Sequence, residues 1–383
     1  MGIQRSLRYA GVVVALLLVA AACGGSPTAE PEESGTGFED LRDQTAKKIE
    51  DINSELEGLS PDERRKELIA MAEEEGGLVE VYGSTNLDEM GPIIDEFEDA
   101  TGLTVNYYRA NSEDVLQRLV EEARAGYRGV DVVNTNGPEM TIIDREGLFA
   151  PIETPAADDI TPEGINDTWI WMYINTFTPA WNTDEISQSE APKTWQDVLT
   201  KFKGRLAMEA ADIDWFATLV KYFEEEEGMS EEEAVDLFKG AAAQGVVVDG
   251  HTLMTELLAA GEFSIAASPY LHRVLQLKGD GAPIEWEPAI EPLVARPNGI
   301  AVHSAAKNVA SGLLFSEYVL TDAQDMLIEL DRQPASIAVE GGGLPSAYEN
   351  ILVDVEAVVD EFDKWSGLYD EVVRSSSQDV IED

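Results

Sequence analysis

From Leu78 onward the chain alternates short β-rich runs with amphipathic helical stretches, and this alternation constrains the fold more than any other feature. The run 78–82 (LVEVY) is followed by the polar turn Gly83, Ser84, Thr85, Asn86. A helix with Met90, Ile93, Ile94 and Phe97 on one side then closes at Gly102. A second strand is expected at 103–108, a helix carrying Val115, Leu116, Leu119 and Val120 follows Ser112, and a third strand is expected at 130–133. Asn134, Thr135 and Asn136 then open another helix at Gly137-Pro138. Repeated strand–turn–helix units predict an α/β fold with a largely parallel sheet. In such sheets ligands sit beyond the carboxyl ends of the strands. Ser84, Thr85, Asn86 and Asn136 therefore lie on the candidate ligand face, with Asn134 and Thr135 beside them. For Ser84, Thr85 and Asn134 the alternative is that they merely satisfy the turn.

The first 22 residues read as a secretory signal. Arg5 and Arg8 precede an apolar stretch, and Ala20, Ala21 and Ala22 lead to Cys23, the pattern of a basic start, a short apolar run and small residues at a cleavage point. The apolar run falls short of the ~20 residues that cross a bilayer comfortably. Cys23 is the only cysteine, so no internal disulfide can form. Its placement resembles a bacterial lipobox, which implies lipidation at Cys23 and a protein secreted but anchored to the periplasmic or outer face of a membrane. Ala20 stands where that motif favours Leu; the alternative is a plain signal with an incidental cysteine. Residues 23–37 are rich in Gly, Ser, Pro and Glu and read as a flexible tether. Residues 38–77 read as a helical N-terminal extension: apolar residues at helical spacing are followed by Ser60-Pro61-Asp62-Glu63, a capping-box signature. It is open from the residues whether this segment prefaces the fold or faces a partner as a hairpin.

Hydrophobic residues make up 44% of the 383-residue chain, enough for a sizeable core, while the net charge is −49. A polyanion of this kind repels nucleic acid and anionic lipid, so neither is expected to meet the globular part. The three histidines, His251, His272 and His303, form no closely spaced metal-binding pair, and no G-x-S-x-G nucleophile elbow is present. Neither zinc hydrolysis nor serine catalysis is therefore expected; no cofactor and no metal ligands are assigned, and the chain is read as a non-enzyme. Abundant carboxylates keep an extracellular hydrolase as an alternative, and a ligand-sensing lipoprotein is another.

An ordered series of motifs resembles the ferric-type family of extracellular solute-binding proteins, over about residues 66–340. It opens with residues 74–84 (EEGGLVEVYGS) and continues through Phe97 with residues 101–105 and through 118–131 (RLVEEARAGYRGVD). Residues 145–148, 180–184 (AWNTD), 192–195 (PKTW), 203–206 (KGRL), 278–283 (KGDGAP), 305–310 and 315–324 complete it in order. The resemblance implies a two-lobed periplasmic-binding-protein fold of type II, each lobe a sheet flanked by helices around a ligand cleft. One lobe is expected from 78–172 with about 291–345, the other from 173–290 with about 346–383. It further implies a monomer that captures a small molecule or chelated metal by lobe closure and passes it to an ABC permease.

The resemblance also locates ligand positions, and the chain departs at several. Asn86 and Asn136 stand where iron-binding members carry His and Glu, and of their adjacent tyrosine pair only Tyr270 matches, with His272 two residues on. Ferric iron prefers anionic oxygen donors, so an organic ligand is expected instead, gripped by Asn86, Asn136 and Asp214 and stacked on Trp215 or Tyr270. Asp212 and Asp214 occupy a stretch where iron binders hold an anion; the alternative is that both cap the helix near Trp215, and for Trp215 the alternative is core packing.

Overall fold

A computed structural model describes residues 38–376 and 380–381. The signal, Cys23 and the tether lie outside the described residues. Two sheets organise the rest. The first is seven-stranded and contains β1 (Leu78–Gly83), β2 (Thr104–Arg109), β3 (Val132–Asn136) and β4 (Ile170–Phe177). The second is five-stranded, built from β5 (Ala180–Asn182), β6 (Leu206–Glu209), β7 (Val246–Val248), β8 (Ile265–Ala266) and β9 (Ile284–Glu285). The chain then returns to the first sheet with β10 (Leu293–Val302), β11 (Gln333–Pro334) and β12 (Asn350–Leu352). The first sheet runs in the order β11-β4-β10-β3-β1-β2, with β12 pairing on β10; the second runs β7-β6-β8-β5-β9.

The expected parallel core is present as β2-β1-β3. Beside it β10 runs antiparallel to both β3 and β4, so the first sheet is mixed. β10 is the longest strand, buried over all ten residues, and its sequence, LVARPNGIAV, carries Pro297 and Gly299, which disguise it as a loop. Gly299 is required there, because a Cβ would come within 2.4 Å of Trp169 Cε3. The expected third strand is shifted: it begins at Val132 and extends to Asn136, because Asn134, Thr135 and Asn136 pair with Ile300, Gly299 and Asn298 of β10.

Each sheet has its own apolar core. One gathers Val81, Phe97, Val133, Ile174, Phe315 and their neighbours. The other gathers Trp181, Trp195, Trp215, Phe216, Phe238 and Trp365 around the second sheet. The result is the expected α/β architecture of two lobes. The chain passes between them at Thr178-Pro179, between β9 and β10, and after β12, where the helices Val355–Asp360 and Phe362–Arg374 begin.

The helices Phe38–Glu55 and Pro61–Glu74 preface the fold. Ile49, Ile52, Leu56, Leu68 and Ala72 are buried in the first core, against the helix Val309–Leu320. Arg64 Nη2 reaches Glu317 Oε1 at 2.6 Å, and Thr45 Oγ1 donates to the Ser304 carbonyl at 2.9 Å. The capping box forms as read: Glu63 Oε2 accepts from the Ser60 N–H at 3.1 Å, and Ser60 Oγ accepts from the Glu63 N–H at 3.4 Å.

Candidate ligand-binding site

The carboxyl ends of β1 and β3 deliver Ser84, Asn86 and Asn136 to a cavity of about 530 Å³. The facing wall comes from the second lobe: Glu209 at the end of β6, Asp212, then Gly250, His251 and Thr252 at the start of the helix His251–Ala260, and Tyr270. Tyr173, Asn175, Arg296 and Arg332 also line it, the first three from β4 and β10 and Arg332 from the position just before β11.

Of the residues expected at the site, Ser84, Asn86, Asn136 and Tyr270 line this cavity. Asn86 Nδ2 donates to Thr252 Oγ1 of the other lobe at 3.1 Å, and Arg109 Nη2 donates to Asn86 Oδ1 at 2.8 Å. Asn136 donates to Ser112 Oγ at 2.7 Å, while its Oδ1 accepts from Asn175 and Asn298. Ser84 Oγ accepts from Thr135 Oγ1. Tyr270 lies with its ring centre 4.0 Å from that of His251, and its hydroxyl accepts from Arg296 Nη2.

Thr85, Asp214, Trp215 and His272 are not part of the cavity lining. Thr85 is buried under the turn, bonded to Asn134 Oδ1 at 2.7 Å and to the Tyr173 hydroxyl at 2.8 Å; it satisfies the turn. Trp215 is fully buried between Trp195 and Phe238, so it belongs to the core, as the packing alternative had it. The Asp214 carboxylate is held by Arg296 Nη1 at 3.1 Å, because removing either charge from water requires its partner. His272 is buried beside the Glu89–Arg332 pair. Burial and the Arg332 charge push it well below the usual imidazole value. Asp212 precedes the helix Ile213–Glu225, yet its side chain makes no capping hydrogen bond; the capping alternative does not describe it.

Sequence reasoning missed Arg296, Arg332, Arg109, Glu209 and His251. Arg296 sits on the strand disguised as a loop, with its guanidinium 4.8 Å from the Phe177 ring centre. Arg332 is clamped by Glu89 and donates to Asn175 Oδ1 at 2.7 Å. Glu209 is buried, and its oxygens accept from the N–H groups of Gly250 and Ala211. Burial and the nearby Asp212 charge push its carboxyl up to about 7. Glu209, Asp212 and His251 each offer a donor atom, all within 4.8 Å of one another. Chemically, the cavity presents amides, hydroxyls and guanidinium groups on one side and a carboxylate–imidazole cluster on the other.

Residues 92–330 match the model of the bacterial extracellular solute-binding protein family. The chain belongs to this family. The solute-binding protein is also 24% identical over 140 residues to the Fe(3+)-binding periplasmic protein of Serratia marcescens, a match that spans 36% of this chain and 41% of that relative. Among solved structures it is similar to iron-bound HitA from Pseudomonas aeruginosa, with a TM-score of 0.66, 19% identity, and coverage of 77% of this chain and 99% of that one. It is similar in the same degree to AfuA from Actinobacillus pleuropneumoniae with fructose-6-phosphate bound, with a TM-score of 0.66, 18% identity, and coverage of 77% and 98%. These neighbours share the two-lobed fold of periplasmic binding proteins. In the described part of this solute-binding protein, no helix is long and apolar enough to cross a membrane.

Proposed function

We propose that this solute-binding protein is the capture subunit of an ABC importer, tethered to a membrane through lipid on Cys23, and that it holds one small polar solute between its lobes. The observation that carries this reading is the cavity itself, walled by Asn86 and Asn136 from one lobe and by Tyr270, His251 and Thr252 from the other. A solute seated there touches both lobes at once, so its binding energy favours the closed arrangement over the open one. Three chain crossings allow such hinge motion while keeping the lobes attached. The solute class favoured by the walls is hydroxyl- or amine-bearing, or a chelated metal, since Asn86 and Asn136 supply amides rather than anionic oxygens. A monomer suffices, because both walls come from one chain.

The test is a thermal-shift screen of polar metabolites and metal chelates on the mature protein, followed by calorimetry and small-angle scattering on any ligand that shifts it. Capture raises the melting temperature by mass action, and closure lowers the radius of gyration. Asn136→Ala is expected to weaken binding by roughly 1–3 kcal/mol, the cost of a lost buried hydrogen-bond partner. Turnover of the shifted ligand, or a shift without compaction, would replace this reading with a hydrolase or a rigid sensor.

A further inference from the structure

We propose that Glu209, Asp212 and His251 hold a resident divalent transition-metal ion, of the zinc or manganese class, on the second lobe's wall of the cavity. The inference goes beyond solute capture and does not depend on it, because all three ligands come from one lobe. The ion would be held with the cleft open or closed, as a fixture rather than as cargo.

Four features converge on the ion. First, the His251 ring is oriented by its neighbour. Nδ1 lies 3.0 Å from the Ser268 carbonyl oxygen, which can only accept, so Nδ1 carries a hydrogen and Nε2 is the ring atom turned toward Asp212, where a metal ion would compete with a proton. A ligating histidine is commonly oriented in this way by a backbone carbonyl. Second, that Nε2 lies 3.1 Å from Asp212 Oδ1. Two donors each about 2.1 Å from one ion stand about 3.0–3.4 Å apart in octahedral or tetrahedral geometry. Third, Asp212 is only 1% exposed, and apart from His251 Nε2 no donor reaches its oxygens among the described residues. A buried carboxylate this poor in donors is costly unless a cation compensates it. Fourth, each Glu209 oxygen takes one backbone N–H, from Gly250 at 3.0 Å and from Ala211 at 2.5 Å. The carboxylate is thereby oriented with lone pairs to spare.

The charge balance agrees. Glu209 and Asp212 are both buried, 4% and 1% exposed, and sit side by side; a divalent cation would cancel both charges. Mixed carboxylate and imidazole donors suit zinc, manganese and iron(II) more than calcium or copper(I). All three residues line the cavity, so the ion's remaining positions would take water or a solute oxygen. The competing arrangement is an imidazolium on His251 paired with Asp212, which would take no metal.

The experiment uses the full mature chain, stripped with chelator and titrated with zinc chloride and then manganese chloride at 150 mM salt, without solute. Screening at that salt suppresses loose cation binding to so acidic a surface. One equivalent of metal retained through desalting is expected, with affinity at least tenfold weaker in Asp212→Asn and His251→Gln. Asp51→Asn, an exposed carboxylate, should leave it unchanged. If the cleft variants fail to fold, nitrogen NMR of the unaltered chain decides: metal should shift one imidazole of three. No retained metal, equal affinity in all variants, or no shifted imidazole would overturn the site. The solute screen is repeated in chelator: solute binding without retained metal removes the ion and leaves capture standing, whereas retained metal with no solute response does the reverse.

Discussion

Asn86 and Thr252 meet across the mouth of the cavity, with Asn86 Nδ2 3.1 Å from Thr252 Oγ1. One belongs to the turn after β1 and the other to the first turn of the helix His251–Ala260, so this hydrogen bond joins the two lobes. Arg109 fixes the other end of the Asn86 amide at 2.8 Å. A hydrogen bond of this kind contributes about 0.5–1.5 kcal/mol. Asn86→Ala should therefore weaken solute affinity by about two- to twelvefold, chiefly by releasing the closed state. Calorimetry gives the affinity, and scattering should show a larger radius of gyration at sub-saturating solute.

Glu89 and Arg332 form a buried pair, with side chains 5% and 4% exposed. Removing one partner leaves an uncompensated buried charge, so Arg332→Leu should destabilise the protein by about 3–5 kcal/mol. Replacing both partners with leucine should recover much of that loss. Urea denaturation of the two single variants and the double variant measures the coupling.

His303 predicts a pH dependence. Burial, reinforced by the Arg128 charge, pushes it down to about 4, and its Nδ1 accepts the Ala305 N–H at 3.1 Å, a bond that only the unprotonated nitrogen can make. In the unfolded chain it titrates near 6.5. Below that value the unfolded state binds the extra proton, so this contribution is complete above about pH 6.5 and is lost as pH falls toward 4. It amounts to about 2–3 kcal/mol by pH 4.5. His303→Gln should flatten the dependence relative to the parent, read from urea midpoints at pH 7 and 4.5.

Gly299 faces the Trp169 ring with no room for a methyl group. Gly299→Ala should cost about 1–3 kcal/mol by overpacking, seen as a lower melting temperature.

The sheet ends that line the cavity were legible because they rest on local signals. β1 and the helix after it show their periodicities within windows of a dozen residues, and the rule for strand ends then points to Ser84, Asn86 and Asn136. Trp215 shows where local reading stops: its helix is visible, but an aromatic residue beside two acids looks the same whether it faces a ligand or the core. The Trp195 and Phe238 rings that enclose it come from elements on either side of its own helix.

By itself, the sequence determined the alternation of strands and helices, the Ser60–Glu63 capping box, the acidic character and the family motifs, all properties of neighbouring residues or of ordered composition. Tertiary structure alone decided the rest. It made a buried strand of LVARPNGIAV by pairing it on both sides with β3 and β4. It turned Asp214 toward Arg296, 82 positions away. It brought Glu209 and Asp212 beside His251. The physical reason is that a charge or a lone pair acquires its role from what lies within a few ångströms in space. Such partners lie tens of residues away along the chain, beyond the reach of any local pattern.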